Sequence, residues 1–245
     1  IGAGAIGVEF GYIYNAFGTE VTIIEMMPNL LPVEDDDVSD AITKSYRKAG
    51  INCLTDTKVT GTRDNGSSVT ITVENSSGTK EITADCCLVA IGVAPILPGG
   101  QQPKLTDRGW VEISDRYETS LPNVYAIGDI AGPPWLAHTA SFEAMQCVEG
   151  IFVEGSAVKR VGDFPGCTYC YPEVASVGKT ERALKEEGVE YKVGKFPYQA
   201  LGKAQASGET EGFVKILFGK KYGEVLGAHI IGENATDLIS EMGLA

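Results

Sequence analysis

Three glycines and one carboxylate carry the first chemical signal in this chain. Gly2, Gly4 and Gly7 stand in the spacing Gly-x-Gly-x-x-Gly, and Glu25 follows 18 positions beyond the last of them. Each glycine has its own task in a dinucleotide-binding turn. The first permits a tight strand-to-helix turn, the second lets a pyrophosphate approach the backbone, and the third lets the helix pack on the sheet. The helix that starts there adds free N–H groups and the positive end of its dipole. Because glycine triplets also arise by chance, the weight falls on Glu25. It closes the β-branched run Val21-Thr22-Ile23-Ile24, near the ~20-residue offset at which an acidic group accepts from the ribose 2′-OH of NAD. A carboxylate there repels a 2′-phosphate, and no Arg or Lys follows through Asp37 to attract one. The expected ligand is therefore NAD rather than NADP, against the plainer reading of a surface glutamate at a strand end.

Other reactive residues are read more blandly. Glu9, in the first helical turn after Gly7, either offsets the helix dipole or lies beside the nicotinamide. Glu34-Asp35-Asp36-Asp37 reads as a solvated loop or the first turn of a helix. Cys167-Thr168-Tyr169-Cys170 has redox spacing, but such a pair normally sits at a helix N-terminus, and this one falls in a loop leading into a strand. Zinc would need two further ligands, and His138, His229 and Cys147 have no metal-like spacing to it, so no metal is expected. Cys53, Cys86, Cys87 and Cys147 read as buried reduced thiols in a reducing compartment, with Cys86 and Cys87 facing opposite sides of a strand.

The elements that must position these groups follow from periodicity and breakers. The pattern predicts a turn over Gly2–Gly7, a helix from Val8 to Phe17 stopped at Gly18, and a strand over Val21–Ile24. A helix from about Asp37 to Lys48, closed by Gly50, comes next. Strands are expected at Thr57–Thr62, Val69–Glu74 and Glu81–Ala84, with a buried returning strand at Cys86–Ile91. A polar, loop-rich stretch from Pro95 to Pro122 leads to a strand at Val124–Ile127, a turn at Gly128-Asp129 and a helix over Trp135–Phe152. After Pro165 the order is helix Glu181–Glu187, strands Tyr191–Phe196, Phe213–Phe218 and Val225–Ile231, and a helix from about Asn234.

The fold class is an α/β Rossmann-like NAD-binding domain with a second α+β domain on an antiparallel sheet. Expected boundaries are 1–94 for the first domain, 95–160 for a crossover segment, and 161–245 for the second. The 245 residues, 43% hydrophobic and 22% charged, suit two soluble globular domains. A net charge of -13 argues against nucleic acid or an anionic membrane as partner. The chain opens with almost no strand ahead of its glycines, and Thr236–Ala245 begins a helix that stops within its period. Both ends read as cut, so an internal segment of a longer protein is expected.

Longer stretches carry a resemblance. Gly2-Ala3-Gly4-Ala5-Ile6-Gly7-Val8-Glu9 resembles the NAD motif of the flavoprotein pyridine nucleotide-disulfide reductase family, in its dihydrolipoyl dehydrogenase branch. Thr57-Lys58-Val59-Thr60-Gly61 is similar to the segment flanking the adenine, and Val89-Ala90-Ile91-Gly92 to the strand end ahead of the nicotinamide. Asn123-Val124-Tyr125-Ala126-Ile127-Gly128-Asp129 resembles the second flavin motif, and Leu136-Ala137-His138 the segment along the flavin ring. Tyr171–Gly178, Val193–Pro197 and Leu226–His229 are similar to the dimer-forming interface domain. The resemblance covers essentially the whole chain.

It implies NAD contacts at Gly2, Ala3, Gly4, Ala5, Ile6, Gly7, Val8, Glu9, Glu25, Val59 and Gly92. It implies FAD contacts at Asp129, on the ribitol, and at Trp135, Leu136, Ala137 and His138, the histidine through its backbone. The 95–160 segment would then be part of an FAD-binding domain and 161–245 the dimerisation domain. The implied reaction oxidises dihydrolipoamide with NAD through FAD and a redox disulfide. Implied partners are a second copy and the lipoyl domains of 2-oxoacid dehydrogenase or glycine-cleavage complexes, in a bacterial cytoplasm, with a mitochondrion or plastid left open. Mercuric reductases and soluble transhydrogenases are the related alternatives, and a non-catalytic NAD-binding and dimerisation module is another.

There are departures. Val93 follows Gly92 where the family often has Arg, Trp135 stands where Met is frequent, and Tyr171 where His is common. No two cysteines have the Cys-x-x-x-x-Cys spacing of the family's redox pair. The first flavin glycine motif is also missing, and the acid–base His and Glu would lie beyond Ala245. No residue of this chain is expected to be catalytic, the chain alone is expected to be inactive, and its FAD site is expected to be incomplete.

Overall fold

The computed structural model describes residues 1–156, 158 and 162–245. In chain order the elements begin with α1 (Ala5–Ala16), β1 (Thr22–Ile24), α2 (Asp36–Lys48), β2 (Asn52–Leu54), β3 (Lys58–Asp64), β4 (Val69–Asn75) and β5 (Gly78–Ala84). After α3 (Ala137–Phe152) come β6 (Gly166–Thr168), β7 (Val174–Gly178), α4 (Glu181–Glu186) and β8 (Tyr191–Pro197). α5 (Gly202–Ser207), β9 (Phe213–Gly219), β10 (Val225–Ile231) and α6 (Ala235–Leu244) complete the order. Contacts group the chain into two compact units, one of Ile1–Gly92 with Pro165–Ala245 and one of Val93–Phe164. The expected boundary between 160 and 161 lies outside the described residues.

In the first unit, β1 and β2 pair in parallel, Thr22 opposite Asn52 and Ile24 opposite Leu54. The connection between them is α2, as a parallel pair requires. α2 announces both its ends. Asp35 caps it, accepting from Asp37 N at 3.2 Å, and Arg47 and Lys48 occupy its last turn. Gly50 follows at φ +87°, a value that suits glycine. β3, β4 and β5 form an antiparallel meander, with a bulge between Val59 and Gly61. The C-terminal half folds into a five-stranded antiparallel sheet, order β6-β7-β10-β9-β8, with α6 packed on β7 and β10.

One apolar core runs through both halves of this unit. Val8, Leu31, Val38, Ile42, Tyr46 and Cys53 meet Cys170, Val174, Phe213 and Ile231. Burying each large side chain contributes roughly 1.5–3 kcal/mol, and the Tyr46 hydroxyl stays satisfied by donating to Val8 O at 2.8 Å. In the second unit, α3 buries Thr139, Glu143 and Cys147 while Met145, Val148 and Phe152 are exposed. The loops around it are tied by Val111 N to Ile130 O at 2.8 Å and by the Tyr117 hydroxyl to Gln146 Oε1 at 2.8 Å. Among the described residues no helix is long and apolar enough to cross a membrane.

Several expectations need correction. α1 starts at Ala5, three residues before the expected Val8, because its first turn needs no side-chain cap and grows directly from Gly4. Cys86–Ile91 is not a buried strand. It pairs in no sheet; its backbone bonds to Ile1, through Ile1 N to Leu88 O and Ala90 N to Ile1 O, both at 2.8 Å, and Leu88, Val89 and Ile91 stay exposed. Cys86 is accordingly exposed rather than buried, and Cys87 is half-buried. Val124–Ile127 forms a single bridge, Glu118 to Tyr125, instead of a strand. β2, β6 and α5 went unpredicted, each too short to display a period; β7 was given no bounds, and β6 puts Cys167 in a strand rather than the expected loop.

Candidate dinucleotide-binding site

The glycine turn is built on close backbone contacts. Gly2 holds φ +94°, and a Cβ there would lie 2.3 Å from Ala90 O. At Gly7 a Cβ would lie 2.0 Å from Gly2 O. Gly4, by contrast, faces open space, with no atom within 4 Å of where its Cβ would be. The first and third glycines are therefore demanded by the protein, and the second leaves room for something else. The first turn of α1 carries no acidic side chain of its own. These are the requirements of an anion cradle.

These glycines predict a separation of effects. Gly4→Ala should fold with an unchanged melting temperature yet lose most nucleotide affinity, because its methyl meets ligand rather than protein. Gly7→Ala should lose both. Thermal melts with nucleotide titration check this, and a Gly4→Ala protein that binds normally would contradict it.

Glu25 is buried, 8% exposed, and is not the solvated strand-end glutamate of the plainer reading. Its Oε2 accepts from Ala3 N at 2.7 Å and its Oε1 from Met27 N at 2.8 Å. The carboxylate thus clips the end of β1 to the middle of the glycine turn, and each oxygen keeps acceptor capacity for a ribose hydroxyl. Ala3 is doubly held, its carbonyl accepting from Leu31 N at 2.8 Å. Val59 lies in β3 and packs with Ile24, Ile71 and Val73. Gly92 takes φ +126° with open space around it.

Glu9 is the fifth residue of α1, one turn later than expected, which removes it from the helix end whose dipole it was to offset. Its Oε1 accepts from Tyr169 N at 2.8 Å, tying α1 to the loop after β6. The structure thus brings Gly2 to Glu9, Glu25, Val59 and Gly92 into one unit. Asp129, Trp135, Leu136, Ala137 and His138 lie in the other. Asp129 sits in a short 3-10 turn, Gly128–Ala131, whose Gly128 N donates to Glu143 Oε2 at 2.8 Å. Leu136 and Ala137 open α3, Trp135 packs against Trp110 with ring centres 5.3 Å apart, and the His138 ring meets Phe164 at 6.3 Å.

Sequence reasoning missed the residues holding the loop after Glu25. Asp35, read as part of a solvated loop or of a helix's first turn, is 1% exposed and bonded to the equally buried Lys215 at 2.6 Å. Lys215 also reaches Glu181 at 2.5 Å and Asp37 at 3.0 Å, so its ammonium fills the centre of the one carboxylate trio, among the described residues, close enough to share a metal ion. A signal was available in Phe213–Gly219, whose alternation places Lys215 on the buried face between Phe213 and Leu217.

All six cysteines are free thiols. Burial pushes the Cys170 thiol up to about 12, and it pushes Cys53, Cys147 and Cys167 upward as well. A thiolate is the reactive form, so the Cys167–Cys170 pair is poorly suited to exchange. With a thiol reagent at neutral pH, Cys86 should react first and Cys170 last, and denaturation should expose six thiols whether or not reductant is added. Thiols that appear only after reduction would contradict this.

Comparison with known proteins settles the family. The pyridine nucleotide-disulphide oxidoreductase family model matches residues 1–144, and the dimerisation-domain model of the same group matches residues 164–245. The chain belongs to the pyridine nucleotide-disulphide oxidoreductase family. Among its relatives are a dihydrolipoyl dehydrogenase of Rhizobium etli, 44% identical over 98% of this chain and 51% of the relative, and a mitochondrial one of Caenorhabditis elegans, 41% identical over 100% and 51%. The chain spans about half the length of the curated relatives it matches. The HOCl-induced flavoprotein disulfide reductase of Escherichia coli has the same fold, with a TM-score of 0.90 at 24% identity, covering 100% of this chain and 56% of that one. Family membership bears out the expected fold class, a Rossmann-like unit joined to a dimerisation domain, and the family resemblance from which it was drawn.

Proposed function

We propose that this chain is the NAD-binding and dimer-forming part of a dihydrolipoyl dehydrogenase. The observation that carries the reading is the buried Glu25 carboxylate, clipped to Ala3 beside an open Gly4 at the head of α1. NAD fits these residues: the backbone from Gly4 to Gly7 receives the pyrophosphate, Glu25 the adenosine ribose, and Val59 flanks the adenine. Glu9 and Gly92 border the nicotinamide, with the Glu9 oxygen not used by Tyr169 left for it. On this reading residues 1–94 bind NAD, 95–160 belong to an FAD-binding domain, and 161–245 form the dimer interface.

The parent reaction takes two electrons and two protons from dihydrolipoamide. An enzyme disulfide receives them and re-forms, and NAD leaves as NADH with one proton released. The hydride chemistry belongs to the bound cofactors, and this chain's part is to position them. Asp129 would accept hydroxyl hydrogen bonds from the ribitol of FAD, and Trp135 to His138 would contact its ring. Lipoyl domains are the partners that deliver substrate, in a bacterial cytoplasm or, as for one relative, a mitochondrion.

A second reading rests on the cysteines, no two of which have four residues between them: the chain by itself is a non-catalytic NAD-binding and dimerisation module. The related reductases remain alternatives for the parent. Light scattering on the chain, with a dihydrolipoamide–NAD assay, tests the proposal. Twice the chain mass and no turnover are expected. A strict monomer would contradict the interface assignment, and turnover would contradict the dependence on a cysteine pair.

A further inference from the structure

The C-terminal half of the first unit grips one short segment of the N-terminal half, and that segment borders the nucleotide site. Lys215 of β9 meets Asp35, Asp37 and Glu181 as described above. Lys195 of β8 adds a contact to Asp37 at 3.0 Å, and the Tyr191 hydroxyl steadies Glu181 at 2.6 Å. Next to Glu181, Arg182 donates to Pro32 O at 2.8 Å and Glu34 O at 3.5 Å, and pairs with Asp36 at 2.7 Å. These contacts from α4, β8 and β9 converge on residues 32–37, which link Glu25 to α2.

The same segment is attached, at its other end, to the glycine turn. Leu31 N donates to Ala3 O at 2.8 Å, while the Ser39 hydroxyl donates to Leu31 O at 3.0 Å. Ala3 N in turn donates to Glu25. Leu31 holds φ +48°, in the left-handed region that a leucine seldom occupies. Such a conformation persists only where attachments on both sides impose it. On one side is Ala3, and on the other is the segment gripped by Arg182 and Lys215.

We infer that Arg182 and Lys215 are positioning residues for the adenosine side of the dinucleotide site, acting through residues 31–37 on Ala3 and Glu25, with the ligand taken from the reading proposed above. Neither residue touches nucleotide. Their role is to keep Leu31 on the Ala3 carbonyl, so that the turn is shaped before the pyrophosphate and ribose arrive. The dimerisation half thereby sets the affinity of a site that lies wholly on the other half.

Arg182→Ala is the test, because the side chain is 44% exposed and its removal leaves the core intact. Amide exchange is followed on the full chain, with titrations of AMP and of nicotinamide mononucleotide. The amides of Leu31 and Ala3 should exchange about 10-fold faster, while those of Ile71 and Val73 in β4 stay unchanged. The AMP dissociation constant should rise about 5-fold and that for nicotinamide mononucleotide should not move. A role confined to general stability would shift β4 as well, or both ligands alike. Unchanged protection at Leu31 and Ala3 would overturn the inference. If the unaltered chain binds neither mononucleotide, the dinucleotide reading falls, and the exchange result still decides whether Arg182 shapes the turn.

Discussion

Lys215→Met lowers the unfolding free energy by about 3–5 kcal/mol, the cost of leaving a buried charge without its partner. Asp35 is 1% exposed and cannot turn to water, and Asp37 and Glu181 lose the cation that holds three carboxylates together. Urea denaturation at neutral pH reads the loss as a lower midpoint, and a change within ±0.5 kcal/mol, the usual range for surface substitutions, would contradict the burial of the pair. The acid limb gives a second readout. Hydrogen bonds from Lys215 and then Tyr191 hold the Glu181 carboxyl down at about 2, against an ordinary value of 4.5. Because its folded value is depressed, Glu181 contributes stability above pH 4.5, and that contribution is lost as pH falls toward about 2. The Lys215→Met protein, already without the stronger of the two bonds, should lose stability less steeply across that window.

Glu25→Ala should weaken NAD binding by about 30-fold or more and narrow the gap between NAD and NADP. Two effects combine. The ribose loses its charged acceptor, and hydrogen bonds to a charged group contribute about 1.5–3 kcal/mol. Ala3 N and Met27 N also lose their acceptor in a buried place, so the turn itself loosens. NADP gains relative to NAD because the carboxylate that repels its 2′-phosphate is gone. Calorimetry on the variant reads both constants, and an NAD-to-NADP ratio equal to that of the unaltered chain would exclude Glu25 as the discriminating group.

The parts of the fold legible in the sequence are those where local rules and tertiary contacts agree. α2 was readable because Lys48 and Gly50 mark its end, and β10 because Val225–Ile231 is apolar but for His229. The glycine turn was readable because the backbone itself demands Gly2 and Gly7. Cys86–Ile91 misled for the opposite reason: its apolar run looks like a buried strand, but burial depends on neighbours, and among the described residues its backbone bonds only to Ile1.

The site was legible in its first layer only. Gly4 and Glu25 follow from spacing, whereas the Lys215–Asp35 bond joins residues 180 positions apart and leaves no local trace. An acidic run is usually solvated, and Asp36 is indeed exposed. Asp35 differs because a lysine from the core-facing side of β9 reaches it, and only the paired sheet brings that lysine there. Glu25 surprised in a smaller way. Its position predicted a ribose contact, but not that its two oxygens would also hold the Ala3 and Met27 amides.

The most direct measurement is a calorimetric titration of the chain with NAD and, separately, with NADP under the same salt and pH. The account predicts that NAD binds much more tightly, since on the proposed reading Glu25 would accept from a ribose hydroxyl and repel a phosphate in its place. Equal affinity for the two, or tighter binding of NADP, would contradict it.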